Sequence, residues 1–462
     1  MNLSIFREYD IRGLVDPDLT PDVVRDVQRA YGTYMYRRGF TTVIIARDSR
    51  DYNSAIHQQA VEALKEIGMQ IVDIGVVTVP VFYFAQLYYK ITAGVMVTAS
   101  HNPVGWSGFK QLVGMSQTAT TAELEELKKL IANKDFESGE GSYEERSGVV
   151  AAYAKDALSR VHIARPIKAV VDCGNETAAL VNPEILRQAG ITVIEQDTTI
   201  GAPTTHEPNP STLGALEHIR EGVLVNKADI GIGYDADGDR FGVVDDQGEI
   251  IWPDRVAMVL VRKILQENPG GSVVFDVKCT QALIDEIVAD GGKPVMWKTG
   301  HSWIRRKGQE VDAVFAAERS GHFYFRRGHW GYDDGLFVTL KLLEIIAGQE
   351  KPLHEVMKDF PHYETSPVWH APCADEVKYA VVERLVEDCK KEYGEDKVVT
   401  VNGARVQFDD GWGLVRASSN IPALVLVFEG KTAEALKRIS SLFETMLTHY
   451  PEIAPRDKWE SG

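Results

Sequence analysis

Short apolar runs, each closed by a polar loop, recur along the first two thirds of the chain. Residues 93–97 (Ala-Gly-Val-Met-Val) carry no charge at all, the pattern of a strand covered on both faces. Runs at 42–46, 70–76, 168–171, 191–195, 229–233, 272–275, 294–297 and 313–316 read as further strands. Segments of helical period lie between them. Thr20-Pro21 opens one, with Thr20 as cap and Val23, Val24, Val27, Ala30, Tyr31, Tyr34 and Met35 as its apolar face. Residues 54–68 form a second, 281–290 another, and 120–132 a helix whose Thr120 and Glu123 have capping-box spacing. The order strand, helix, strand, variable connection, strand, polar loop comes round three times. It predicts three similar mixed α/β domains of roughly 100 residues each. The tail breaks the pattern. An amphipathic helix at 375–393 precedes short strands at 398–401, 404–408, 414–416 and 423–428, then a helix at 432–447. That is a smaller α+β domain. The expected limits are 1–146, 147–250, 251–365 and 366–462. The stretch Phe6-Arg7-Glu8-Tyr9-Asp10-Ile11-Arg12-Gly13 is too charged for a core strand. It reads as a solvated arm, although its two arginines and tyrosine would suit an anion.

The candidate chemistry sits in the polar loops. After the 93–97 strand come Thr98-Ala99-Ser100-His101-Asn102-Pro103, where Asn-Pro stops regular structure. A Ser and a His are thereby left at the end of a strand, where open α/β sheets bind ligands. Taken alone, the segment is equally well a plain turn. Asp235, Asp237 and Asp239 alternate through the loop after the 229–233 strand, and three like-charged oxygen donors suit Mg²⁺ or Ca²⁺. An EF-hand would need Gly where Arg240 stands and helices on both sides, and a dinucleotide fingerprint would need a following helix. A serine hydroxyl is a poor nucleophile until activated, and a cation that neutralises phosphoryl oxygens would help both attack and departure. Lys110 and Lys278 are candidate charge stabilisers, and His101 and His322 candidate acids or bases. Glu318 and Ser320 could hold paired sugar hydroxyls. Arg416, Ser418, Ser419 and Asn420 form a donor set fit for a dianionic phosphate.

Composition narrows the partners. A net charge of −17 argues against nucleic-acid and anionic-membrane surfaces. The four cysteines, at 173, 279, 373 and 389, have no paired spacing, so neither structural zinc nor a disulfide framework is expected. No signal peptide or membrane span is readable, and a cytoplasmic protein is expected, as a monomer.

These loops in this order resemble the α-D-phosphohexomutase superfamily, and most closely its bacterial phosphomannomutase/phosphoglucomutase group. The likeness runs from Tyr9 to Pro422. It includes Thr98 to Pro103, Asp235 to Arg240, Asp276-Val277-Lys278, Thr299-Gly300-His301, Glu318 to His322 and Arg416 to Asn420. Two positions depart from the usual pattern: Ala317 precedes Glu318 where Gly is usual, and Ser419-Asn420 follow Ser418 where Asn-Thr is usual. The resemblance implies three similar α/β domains and a smaller fourth around a central cleft. It makes Ser100 a phosphoserine and His101, Lys110, Arg240 and His322 its catalytic neighbours. One Mg²⁺ per chain would be held by Asp235, Asp237, Asp239 and the oxygen of Ser100. Substrate would be held by Tyr9, Arg12, Lys278, Gly300, His301, Glu318, Arg319, Ser320, Gly321 and His322, with Arg416, Ser418, Ser419 and Asn420 on the distal phosphate. The implied reaction interconverts hexose 1-phosphate and hexose 6-phosphate, of mannose or glucose, through a hexose 1,6-bisphosphate intermediate and activator. A phosphoglucosamine mutase and a Mg²⁺-dependent sugar-phosphate phosphatase are the alternatives, and a non-catalytic sugar-phosphate binder is a further one.

Overall fold

The computed structural model describes residues 1–419 and 421–461. The chain forms two compact units, Met1–Trp252 with Ser320–His354, and Pro253–Arg319 with Glu355–Gly462. No helix among the described residues is long and apolar enough to cross a membrane.

The first sheet and its helices come from β1 (Ile11–Leu14), α1 (Pro21–Tyr36), β2 (Thr42–Arg47), α2 (Asn53–Lys65), β3 (Gln70–Val76), α3 (Val79–Tyr89), β4 (Ala93–Val97), β5 (Trp106–Gly114), β6 (Gln117–Thr118), α4 (Thr121–Asn133) and β7 (Ser142–Glu145). The strand order is β1-β5-β4-β2-β3-β7, with β6 on β5. β4, β2, β3 and β7 run parallel, and β5 and β1 antiparallel. All five residues of β4 are buried, at about 1.5–3 kcal/mol for each large aliphatic side chain. Thr120 and Glu123 make the expected capping box on α4, whereas the Thr20 side chain makes no cap bond to α1.

Three readings change here. The charged stretch before Gly13 is not a solvated arm: Ile11–Leu14 joins the sheet on β5. Its charge is tolerated because Arg12 Nε donates to Asp10 Oδ2 at 2.7 Å within the buried layer. Trp106–Gly114, which carries Lys110, is a strand to which the sequence pattern assigns no element, and its Gly108 is needed. A Cβ there would collide with the Ile11 carbonyl oxygen, so only glycine lets β1 lie against β5. The aromatic-rich α3 has no polar face and therefore no period to reveal it; Pro80 in its first turn marks its start.

The second sheet is built from α5 (Val149–Leu158), β8 (Lys168–Asp172), α6 (Asn182–Gln188), β9 (Thr192–Gln196), α7 (Leu213–Asn226), β10 (Ile230–Tyr234), β11 (Phe241–Asp245) and β12 (Ile250–Ile251). Its order is β12-β11-β10-β8-β9, with the last three parallel and the first two antiparallel.

In the second unit, α8 (Pro253–Glu267) precedes β13 (Ser272–Asp276), α9 (Gln281–Ala289), β14 (Lys293–Trp297), α10 (His301–Glu310) and β15 (Phe315–Ala317). β13 is flanked by β14 and β15, both parallel to it. The chain then returns to the first unit for β16 (Phe323–Phe325) and α11 (Gly335–Ala347), and the short α12 (Leu353–Val356) follows.

The tail has β17 (Glu364–Thr365), β18 (Trp369–Pro372), α13 (Lys378–Tyr393), β19 (Val398–Val399), β20 (Ala404–Phe408), β21 (Gly411–Ala417), β22 (Ala423–Gly430), α14 (Ala433–Leu447) and β23 (Glu460–Ser461). They form one antiparallel sheet in the order β19-β20-β21-β22-β18-β23, with β17 on β22. The α+β expectation holds, and β21 begins three residues earlier than the sequence suggests, at Gly411.

Candidate active site

In the first unit, two loops at strand ends come together. β4 delivers Ser100, whose φ of 51° puts a non-glycine residue in the left-handed region. Such strain persists only where the surroundings fix it. Here Ser100 N donates to Thr98 Oγ1 at 3.0 Å, and Arg50 Nη2 donates to the carbonyls of Ser100 and Asn102 at 2.7 and 2.8 Å. Arg12 Nη1 adds a bond to Asn102 Oδ1 at 2.6 Å. Asp48 in turn holds Arg50, accepting from its backbone N at 3.1 Å, and accepts from Asn53 Nδ2 at 2.6 Å.

The hairpin of β10 and β11 holds the aspartate loop, whose three carboxylates are fully buried. One oxygen from each lies within 4.8 Å of the others. Ser100 Oγ donates to Asp235 Oδ2 at 3.1 Å, and Thr98 Oγ1 to Asp237 Oδ2 at 3.1 Å. Lys110 on β5 reaches Asp237 Oδ2 at 3.0 Å and also binds Asp239. The Oδ1 atoms of Asp237 and Asp239 are buried without a hydrogen-bond partner among the described residues. Buried carboxylate oxygens left this way are costly, and a hard cation would satisfy them. The donor set therefore fits a divalent cation. Gly335 at the start of α11 allows the loop to pack closely, since a Cβ there would stand 2.8 Å from the carbonyl oxygens of Gly238 and Arg240.

The charges in this layer shift one another. Burial, then Asp239 and Asp237, push the Asp235 carboxyl well above its ordinary range. Burial works against the charges of Asp239 and Lys110, but their mutual attraction outweighs it: Asp239 stays below its ordinary value and Lys110 well above. Burial, followed by Arg240 and Arg12, drives His101 well below 6.5, so its imidazole is neutral at pH 7. His101 Nδ1 lies 3.2 Å from Ser100 Oγ. Arg240 Nε donates to His322 Nε2 at 2.9 Å, which leaves the His322 proton on Nδ1, 2.9 Å from Asp333 Oδ2. Ser100, His101, Lys110, the three aspartates, Arg240, His322 and Arg12 are thus one contact network. Tyr9 is buried just before β1, while Ser320 and Gly321 precede β16.

The second unit carries the other candidates. Asp276 ends β13 and anchors its neighbours: Lys278 Nζ is 3.4 Å away, Thr299 Oγ1 donates at 2.8 Å, and Arg319 N at 3.1 Å. Gly300 N donates to Glu318 Oε2 at 2.9 Å, joining the Thr299-Gly300-His301 segment to the Glu318 loop. His301 is buried at the start of α10. The Arg319 guanidinium turns to buried Asp254, at 2.8 Å, so it braces this loop. In the tail, Arg416 Nη2 donates to Ser419 Oγ at 3.1 Å, and Ser418 Oγ accepts from Ile421 N at 3.3 Å. Arg416 Nε is buried with no hydrogen-bond partner among the described residues, a donor open to an anion. Asn420 lies outside the described residues.

Sequence reasoning missed Asp48, Arg50 and Asn53, which hold the serine loop, and His370. In the tail sheet His370 and Arg416 flank Val425 on opposite sides. Burial, then the positive fields of Lys278 and Arg416, push His370 below 6.5. The polar run Arg47 to Arg50 after β2 was the available signal for the first group. His370 had none, because only the register of β18 places it beside Arg416.

The models of phosphoglucomutase/phosphomannomutase domains match most of the chain in order: α/β/α domain I at 3–138, II at 151–248, III at 252–363, and the C-terminal domain at 371–444. A phosphomannomutase/phosphoglucomutase of Pseudomonas aeruginosa is 38% identical over 96% of this chain and 95% of its own. A phosphoglucomutase of Neisseria gonorrhoeae is 34% identical, covering 97% and 98%. The crystal structure of a phosphoglucomutase/phosphomannomutase family protein of Burkholderia thailandensis superposes with a TM-score of 0.89 at 36% identity, covering 96% and 97%.

Proposed function

Because the chain belongs to the phosphoglucomutase/phosphomannomutase family and is a mutase interconverting hexose 1- and 6-phosphates, we propose that it works through a phosphoserine at Ser100 and a hexose 1,6-bisphosphate. The observation that carries this reading is the Ser100 hydroxyl, held in a strained conformation 3.1 Å from Asp235 within the buried aspartate cluster.

In the first half-reaction, the bond between phosphorus and Ser100 Oγ breaks as a sugar hydroxyl bonds to phosphorus, and the hydroxyl's proton ends on Ser100 Oγ. In the second, Ser100 Oγ attacks the other phosphoryl group of the bisphosphate, and the sugar oxygen leaves and takes up a proton. The neutral His101 faces Oγ through Nδ1 and takes the hydroxyl proton in this return step. Lys110 and Arg240 stabilise negative charge on the phosphoryl group in transit. His322 keeps Arg240 oriented, through the 2.9 Å bond between them. Asp235, Asp237, Asp239 and a phosphoseryl oxygen would hold Mg²⁺, which supplies charge neutralisation for the transferring group. Glu318, Gly300, His301, Ser320 and Gly321 serve the sugar, and Arg319 holds their loop in place through Asp254. Arg416, Ser418, Ser419 and Asn420, with Lys278, serve the phosphate that is not transferring, while Tyr9 and Arg12 complete the set. Glucose and mannose phosphates are the proposed substrates, supported by the names of the relatives at 34–38% identity. A cytoplasmic location belongs to the same reading, supported by four cysteines that are all free.

The test is isomerisation of glucose 1-phosphate and mannose 1-phosphate with Mg²⁺ and trace glucose 1,6-bisphosphate, recording free phosphate. Both sugars should isomerise with little phosphate release, and Ser100→Ala should fall to background. Reaction of glucosamine 1-phosphate alone would overturn the substrate assignment, and dominant phosphate release would overturn the mutase chemistry.

A further inference from the structure

A second set of metal-ligating groups lies apart from the aspartate loop, at the C-terminal ends of the parallel strands β8 and β9. Asp172 is the last residue of β8, and Asp197 follows β9 directly. His206 is on the loop that leads to α7, and His218 is on α7 itself. One ligand atom from each of the four lies within 4.8 Å of the others. The segment Asp172-Cys173-Gly174-Asn175 closes a strand as the serine and aspartate loops do, yet the mutase reaction gives it no task.

The distances have the dimensions of a coordination shell. His206 Nε2 is 3.1 Å from Asp172 Oδ2 and 3.6 Å from Asp197 Oδ2. His218 Nε2 is 3.0 Å from Asp197 Oδ2 and 3.9 Å from Asp172 Oδ2. Ligands at about 2.0–2.2 Å from a tetrahedral Zn²⁺ stand roughly 3.3–3.6 Å from one another. The four imidazole–carboxylate separations straddle that edge.

The orientation of the His206 ring is consistent with that geometry. His206 Nδ1 lies 2.8 Å from the carbonyl oxygen of Glu207, which can only accept, so Nδ1 carries a proton. Nε2 is the atom left facing the two carboxylates. Without a metal, Nε2 can carry a second proton and donate to Asp172 at 3.1 Å; with one, the same atom and the same carboxylates are already aimed at a shared ion. A ring N–H bonded to a backbone carbonyl is also how metal-bound histidines are commonly oriented. The carboxylates are held as well: Asp172 Oδ1 accepts from Gly174 N at 2.9 Å, and Asp197 accepts from Thr205 Oγ1.

We propose that Asp172, Asp197, His206 and His218 form a second divalent-metal site, of the Zn²⁺ class, distinct from the aspartate-loop site. Imidazole and carboxylate donors in a four-ligand set select such an ion over Mg²⁺, which prefers oxygen and water. The bound metal fastens the connection between β9 and α7 to the sheet. That connection is otherwise held by Asn175, which donates from Nδ2 to the Pro203 carbonyl at 3.0 Å and accepts from Thr199 N at 2.9 Å. Its role is structural: it closes the four ligands and leaves no open position for substrate.

The full-length protein, stripped with a chelator and kept in excess Mg²⁺ to fill the aspartate loop, is titrated with Co²⁺. One equivalent should give the intense visible bands of tetrahedral cobalt(II), Zn²⁺ should displace them, and Zn²⁺ should raise Tm. His218→Gln and Asp197→Asn should each lose the bands and the Tm shift while keeping the wild-type circular dichroism spectrum. Absence of tetrahedral bands in the wild type would overturn the proposal. So would bands that survive in both variants, or bands lost in Asp237→Asn but not in these two.

Discussion

At the scale of single residues, the proposed chemistry turns on Ser100 and Lys110. Lys110 is the counter-charge that makes three buried carboxylates tolerable, since it contacts two of them. Removing one partner of a buried ion pair costs about 3–5 kcal/mol, because the remaining charge is left uncompensated. Lys110→Met should therefore lower Tm strongly in chelator, and Mg²⁺ should restore much of the loss by supplying the missing positive charge. Turnover should fall about 10²- to 10³-fold even with Mg²⁺, the scale for removing one preorganised charge-stabilising donor. Thermal melts with and without Mg²⁺, beside the isomerisation rate, check both parts. Ser100 and the three aspartates stood out in the sequence because their loops follow apolar runs, whereas Arg416 lies within β21 and stood out only by its donor-rich neighbours. Asp48 and Arg50 were less legible: their task depends on β2 lying beside β4 in the sheet, a pairing that no local pattern encodes.

Elements position these residues through close approach and through capping. Gly108 lets β1 reach β5, and β1 carries Arg12 to Asn102 beside the serine. Gly108→Ala should destabilise the fold by about 1–3 kcal/mol, the usual cost of overpacking, in chemical denaturation. It should also lower activity beyond what the stability loss explains. At the start of α11, Asp334 caps the helix by accepting from Phe337 N at 2.9 Å, yet burial raises its carboxyl to about 7. An unfolded aspartate releases its proton near pH 4, whereas the folded one keeps it to about pH 7. Stability should fall as pH rises from about 4 to 7 and level off above, by on the order of 4 kcal/mol in total. Asp334→Asn keeps the cap without the ionisation, so a denaturation series across that range should lose this slope. The periodic helices and the buried strands were readable from pattern alone. The uniformly apolar α3 and the charged β1 were not, because one lacks a polar face and the other hides its charge in an internal ion pair.

At the scale of the molecule, three parallel-centred sheets and one antiparallel sheet each carry a polar loop to which the proposed mechanism gives a different part of the reaction. Repetition of the strand–helix pattern made the number and kind of domains readable. The separation of residues 320–354 from 253–319 into different compact units was not readable, since it depends on long-range packing. The first unit holds the groups proposed for phosphoryl transfer, and the second holds Glu318, Gly300 and Arg416, proposed for the sugar and the distal phosphate. The central proposal is that Ser100 itself carries the phosphate. Incubation with glucose 1,6-bisphosphate labelled in its phosphates, followed by peptide mapping, tests it most directly. The account predicts label on the peptide containing Ser100, chased into hexose bisphosphate by unlabelled glucose 1-phosphate, and none in Ser100→Ala. Label on another residue, or full isomerisation by a protein that never takes up label, would contradict it.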